Sequence, residues 1–305
     1  MKNTFYFLLL LAILGATACT DVIDVDLQEG RSQLVVDAWI NTKAETQVIK
    51  LRRTSGYLDS APSPIVTGAN VVISDTKGGS FAFADADNDG DYTWEPPAGG
   101  RFGSIGEDYT LTIELDGQTY VSSSTLNQAP IVDSITTEFR EPELGNPEGI
   151  YAQFFARDLP GLGDTYWIKT FKNGEFLNKP QEINIAYDAA FSAGAEVDGL
   201  IFIPPIREAI NRFPDTADDA TDDFDVPPYA VGDSILVEIH AITEEAFYFL
   251  EQAQTQMTLG DAGIFAEPLA NVSGNVFNSD SNSEEIVLGF FTVADVNSLG
   301  IQVEE

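Results

Sequence analysis

The sequence is poor in the side chains that carry most enzyme and metal chemistry. Among 305 residues there is one cysteine, Cys19, and one histidine, His240. A single cysteine allows no internal disulfide, so burial of apolar surface must hold the fold. A lone histidine two residues after Glu238 excludes a multi-histidine zinc centre and leaves no Ser-His-Asp arrangement that period-2 spacing would assemble. The alternation around it, with Val237 and Ile239 between, predicts a strand whose Glu238 and His240 face solvent. No glycine-rich phosphate loop runs into Lys-Ser or Lys-Thr. Basic residues are scarce: 15 Lys and Arg stand against 49 Asp and Glu, a formal net charge of -34. Such a chain repels nucleic acid and anionic headgroups. Long hydrophobic runs are missing too, for Phe5 to Leu14 falls short of the roughly 20 apolar residues that span a bilayer.

That short run is the core of a secretory leader. A basic start at Lys2, the apolar stretch, and Ala16-Thr17-Ala18 before Cys19 resemble a bacterial lipobox, with Ala16 where Leu is usual. The expected product is a chain lipidated on Cys19 after removal of residues 1–18. The other reading is an ordinary cut after Ala18 that leaves a free thiol. An anchor of several acyl chains gives stable attachment at about 0.8 kcal/mol per buried CH₂. Asp21, Asp24 and Asp26 behind the cysteine resemble a surface-export signal, which points to the outer membrane with the body facing the exterior.

Hydrophobic content of 44% suits a globular chain rather than a disordered acidic tail. The acidity fits solubility in a salty medium, where repulsion is screened over about 8 Å, or the binding of divalent cations. Residues 19–32 read as a lipidated tether. Residues 33–126 read as a β-sandwich of immunoglobulin-like or transthyretin-like type, with short strands separated by Gly, Pro and Asp. Its clearest unit is Tyr109 to Val121, where Tyr109, Leu111, Ile113 and Leu115 alternate with polar residues and Asp116-Gly117 supplies a tight turn. Asn127 to Pro130 reads as a linker. Residues 131–305 read as a second β-rich domain with one helix, so the fold class is mostly β. Asn173-Gly174 marks another hairpin. An acidic insert, 178–229, shows no period and includes Asp215, Asp218, Asp219, Asp222, Asp223 and Asp225, which marks it as a functional or mobile loop. The helix is expected near 243–259, capped by Thr243, with Phe247, Leu250, Gln254 and Met257 on one face and Gly260 as its stop.

One local motif carries cation chemistry. Asp85, Asp87 and Asp89, followed by Gly90 and Asp91, match the first half of a calcium loop, with oxygen ligands at alternate positions and a glycine for the sharp turn. Pro96 stands where that loop needs its glutamate, and the flanks read as strands. A hairpin-loop Ca²⁺ site on Asp85, Asp87, Asp89 and Asp91 and a solvated acidic turn are both open readings. Of the three tryptophans, Trp39 and Trp167 sit in apolar strand patterns and are expected in the core. Trp94, beside Glu95-Pro96-Pro97, is the one expected to be exposed and able to stack on a sugar.

The order of features resembles a known family. Leu34-Val35-Val36-Asp37-Ala38-Trp39-Ile40, Leu51-Arg52-Arg53-Thr54, the Tyr109–Val121 hairpin, Asp164-Thr165-Tyr166-Trp167, Gly232-Asp233, the Glu245–Leu250 helix, residues 270–275 and Gly289-Phe290-Phe291 follow one another as in the Bacteroidetes lipoproteins grouped as domain of unknown function 4249. The resemblance covers nearly the whole chain after Cys19. It implies a surface lipoprotein found beside TonB-dependent outer-membrane transporters and carries no catalytic residues. The expected function is therefore a non-enzymatic substrate-capture or accessory subunit of such a transporter. The rivals are a structural or adhesive surface protein stiffened by Ca²⁺ and a carboxylate hydrolase.

Overall fold

Two-residue turns set the local frame of the molecule. Asp116 and Gly117 have φ of 51° and 78°, and Asn173 and Gly174 have 53° and 82°, the pair of positive values a twisted hairpin requires. The computed structural model describes residues 31–56, 59, 61–143, 146–214, 226–258 and 272–304. Residues 1–18, expected to be a leader, Cys19, Asp21, Asp24, Asp26, Gly260 and the aspartates from 215 to 225 lie outside the described residues. All elements below belong to one compact unit, residues 32–55 and 60–305. In the second, small unit, the described contact is the Asp59 N–H donating to the Gly56 carbonyl at 2.9 Å.

The chain is mostly β. Its strands are β1 (Leu34–Asn41), β2 (Gln47–Arg53), β3 (Asn70–Asp75), β4 (Ser80–Phe83), β5 (Asp91–Trp94), β6 (Asp108–Leu115), β7 (Gln118–Thr125), β8 (Val132–Arg140), β9 (Gly149–Ala156), β10 (Thr165–Lys172), β11 (Glu175–Phe176), β12 (Asn184–Tyr187), β13 (Ser234–Ile242), β14 (Phe277–Asn278) and β15 (Val287–Gln302). Two α-helices, α1 (Pro204–Glu208) and α2 (Glu244–Thr258), and a 3-10 turn at Pro180–Glu182 complete the set among the described residues. An eight-stranded sheet runs β11-β10-β13-β15-β1-β2-β5 with β12 beside β10. A five-stranded sheet runs β14-β7-β6-β3-β4, and β8 and β9 form a ribbon.

The long strand β15 joins the two halves of the large sheet. Residues 287–294 pair in parallel with β1, and residues 295–302 pair antiparallel with β13. Inward residues of β1, β2 and β15 (Val36, Ile49, Phe291) meet those of the five-stranded sheet (Ile73, Leu111, Tyr120) in one core. A second core lies between β10 and β13 (Ile168, Val237) and the ribbon (Ile135, Phe154). Strand β15 thus serves both cores, with Phe291 and Val293 in the first and Leu299 and Ile301 packed against the second. The 127–130 segment is fastened to β15: the Asp295 carboxylate accepts the Ala129 N–H at 3.1 Å, and Asn297 donates to the Ala129 carbonyl at 2.8 Å. Gly289 (φ 90°) lets β15 lie against β1, since a Cβ there would collide with the Val36 carbonyl.

Several expectations need correction. Glu238 and His240 do not face solvent; they are 2% and 4% exposed. The Trp167 ring lies 6.3 Å from that of His240, and Lys43 reaches Glu238 from the β1–β2 loop, neither of which period-2 spacing alone reveals. Residues 178–214 of the insert are ordered: β12 is wholly buried, and Phe202, Ile206 and Ile210 enter the second core. Pro204 and Pro205 start α1, a helix too short to show a period. Trp94 is half-buried, edge-on to Phe81 and Phe102 at 5.3 and 5.8 Å. Thr243 does cap α2, accepting the Ala246 N–H at 3.3 Å. The buried stripe of α2 ends early: Phe247 and Leu250 are buried, Gln254 donates to the carbonyls of Pro180 and Ile183, and Met257 is 52% exposed.

Candidate functional site

The candidate site begins with a strand that stops too soon. Strand β14 pairs with β7 only at Val121 and Tyr120. Continued in register, it would set Asn275 against Ser123 and Ser273 against Thr125. Instead Asn275 turns to β15, donating to the Phe291 carbonyl at 2.8 Å and accepting the Phe291 N–H at 2.9 Å. Gly274 presses on Gly289 so closely that a Cβ would strike its carbonyl. The chain is held on β15 and away from β7, and a groove of about 870 Å³ opens between β7, residues 273–277 and α2.

The groove has a consistent chemistry. Ser123, Thr125, Thr243, Gln252 and Ser273 bring hydroxyl and amide groups, while Tyr248, Phe249, Phe277 and Phe290 bring rings. Tyr248 and Phe277 are 39% and 63% exposed, which is costly for large rings unless something covers them. Ser122, buried within the lining, has a hydroxyl with no partner among the described residues. Ser124 is spent differently, accepting the Val293 N–H at 3.1 Å. Among the described lining residues the charged ones are Asp108 and Glu245, and none is a cation. An uncharged or basic ligand suits this surface.

Away from the groove, a network of charges lies on the α2-side face of the large sheet. Glu238 accepts from Lys43 at 2.8 Å and stands 3.0 Å from His240 Nε2. Burial alone would raise the Glu238 carboxyl, but the bonds to His240 and Lys43 outweigh it and bring it down to about 2. His240 is lowered to about 4 by burial and then by the charge of Lys169, against the pull of Glu238. Lys169 lies 3.9 Å from the centre of the Trp167 ring and is lowered to about 8 by burial. The pair of buried Glu238 and half-buried Lys43 ties β13 to the β1–β2 loop. A second acidic group surrounds Asp164, pushed up to about 6 by burial and then by Asp158, Asp188 and Asp198.

The sequence motif at Asp85 is brought together in part. Carboxylate oxygens of Asp85, Asp87 and Asp89 lie within 4.8 Å of one another. Asp85 accepts the N–H groups of Asp89 and Gly90 at 3.1 and 3.3 Å, and Asn88 and Gly90 take positive φ to close the loop. Asp91 is not with them; it is paired with Arg52, which also donates to the Gly90 carbonyl at 2.8 Å. The groove residues escaped sequence reasoning because they come from β6, β7, α2, the 273–277 segment and β15. One signal was present: Ser122-Ser123-Ser124-Thr125 puts four hydroxyls in a row where a half-buried strand should alternate.

The chain matches a known family. The family model described as domain of unknown function (DUF4249) matches residues 20–299. The chain belongs to that family. No curated protein matches it.

Proposed function

From that family membership and the groove, we propose that the chain is a lipid-anchored outer-membrane lipoprotein that captures a ligand for, or completes, a TonB-dependent transporter, without catalysis of its own. The observation that carries the reading is the groove along β7, with its exposed rings, polar walls and unpartnered Ser122 hydroxyl. Ala16-Thr17-Ala18-Cys19 supports the anchor and Asp21, Asp24 and Asp26 the outward face. Detergent extraction under mild conditions followed by affinity purification tests the partnership. A β-barrel transporter should co-purify in stoichiometric amount; the chain recovered alone sinks the transporter part. Mass spectrometry of the mature N-terminus should find a diacylglyceryl group on Cys19, and an unmodified thiol removes the anchor.

A second reading, a surface protein stiffened by Ca²⁺, is favoured by the convergence of Asp85, Asp87 and Asp89. Millimolar Ca²⁺ should then raise the melting temperature by several degrees in the wild type and not in Asp87→Asn. An unchanged melting curve ends it.

A further inference from the structure

The groove is bounded by a strand edge that lacks a neighbour. The Asp116-Gly117 turn makes Leu115 and Gln118 the first cross-strand pair, so the main-chain groups of Gln118, Tyr120, Ser122 and Ser124 point toward β6. Those of Thr119, Val121, Ser123 and Thr125 point outward. Two facts fit this phase: the Ser279 N–H reaches the Thr119 carbonyl at 2.8 Å, and Val121 is the residue opposite Phe277. The outward N–H and carbonyl groups of Ser123 and Thr125 have no strand beside them among the described residues, because Asn275 is fastened to Phe291 instead. An uncovered edge is ordinarily blunted by charge, proline or a bulge, and Ser123 and Thr125 supply none of these.

We propose that the groove binds an extended peptide segment, uncharged or basic, which adds as a strand antiparallel to β7 at Ser123 and Thr125. This rests on the capture reading above and names its ligand class. The peptide takes the track that β14 would have followed and gives main-chain hydrogen bonds to Ser123 and Thr125. Its side chains alternate between Tyr248 and Phe277 on one side and the hydroxyl walls on the other. Asp108 and Glu245 at the groove favour lysine or arginine and oppose acidic segments.

Hydrogen exchange of the full mature chain reads the main-chain bonds directly. With a synthetic peptide of alternating threonine and lysine, the Ser123 and Thr125 amides should exchange at least about tenfold more slowly, and the glutamate counterpart should have no effect. Ser123→Pro removes an outward donor without touching the β6 ladder and should weaken peptide binding about tenfold. Unchanged exchange at both amides with saturating peptide overturns the proposal, as does full affinity in a folded Ser123→Pro chain. A neutral linear glucan that binds and leaves those amides unprotected overturns strand addition but leaves ligand capture standing. A transporter that fails to co-purify, with amide protection intact, removes the transporter and keeps the peptide.

Discussion

His240 and Asp164 respond to acid in opposite senses. The folded value of His240, about 4, lies below its ordinary value near 6.5. The stability it contributes is complete above pH 6.5 and is lost as pH falls through 4, of the order of 2–3 kcal/mol. Asp164, raised to about 6, favours the folded state below its ordinary value near 3.9 and loses that contribution as pH rises through 6. The two windows overlap, so the wild-type profile between pH 4 and 6.5 should be flatter than that of either variant. His240→Gln should gain stability on acidification from pH 6.5 to 4, where the wild type stays nearly level. Asp164→Asn should be more stable at pH 7 by about 1 kcal/mol, with most of its advantage gone at pH 4. Melting curves across that range check both. Parallel profiles for all three proteins would dismiss the assigned pKa shifts.

At the scale of elements, the turns were legible and the partners were not. Asp116-Gly117 and Asn173-Gly174 announce hairpins because positive φ is a local demand. The Thr243 cap is also local. The pairing of β15 with β1 and β13 joins residues some 250 and 60 apart in sequence, and no local pattern encodes that. His240 was misplaced for the same reason: alternation says that Glu238 and His240 share a face, and Trp167 and Lys43, distant in sequence, decide whether that face is wet. The groove suffers most, since Asn275 and Phe291 create it by a side-chain pairing across elements. The contact of β15 with β1 predicts one severe defect. Gly289→Ala must both strain a φ of 90° and displace the Val36 carbonyl, a loss of about 3 kcal/mol or more. Chemical denaturation measures it, and a change within about 0.5 kcal/mol of wild type would contradict the tight approach.

For the whole molecule, charge is the dominant fact. With 49 acidic against 15 basic residues, the folded chain repels itself, and several cations are already committed: Lys43 to Glu238, Arg52 to Asp91, Lys172 to Asp233. Raising salt from about 0.01 to about 1 M shortens screening from about 30 to about 3 Å. Relief of repulsion should exceed the weakening of these pairs, and the melting temperature should climb with sodium chloride. A fall on adding salt would show that the ion pairs dominate. Strand β15 has a further consequence, for time rather than stability. Both cores wait for residues 287–302, so a chain emerging from its N-terminus has no finished half to close early. Until residues 287–302 emerge, β1 and β13 have no strand to join them, and the large sheet closes as one piece only afterwards.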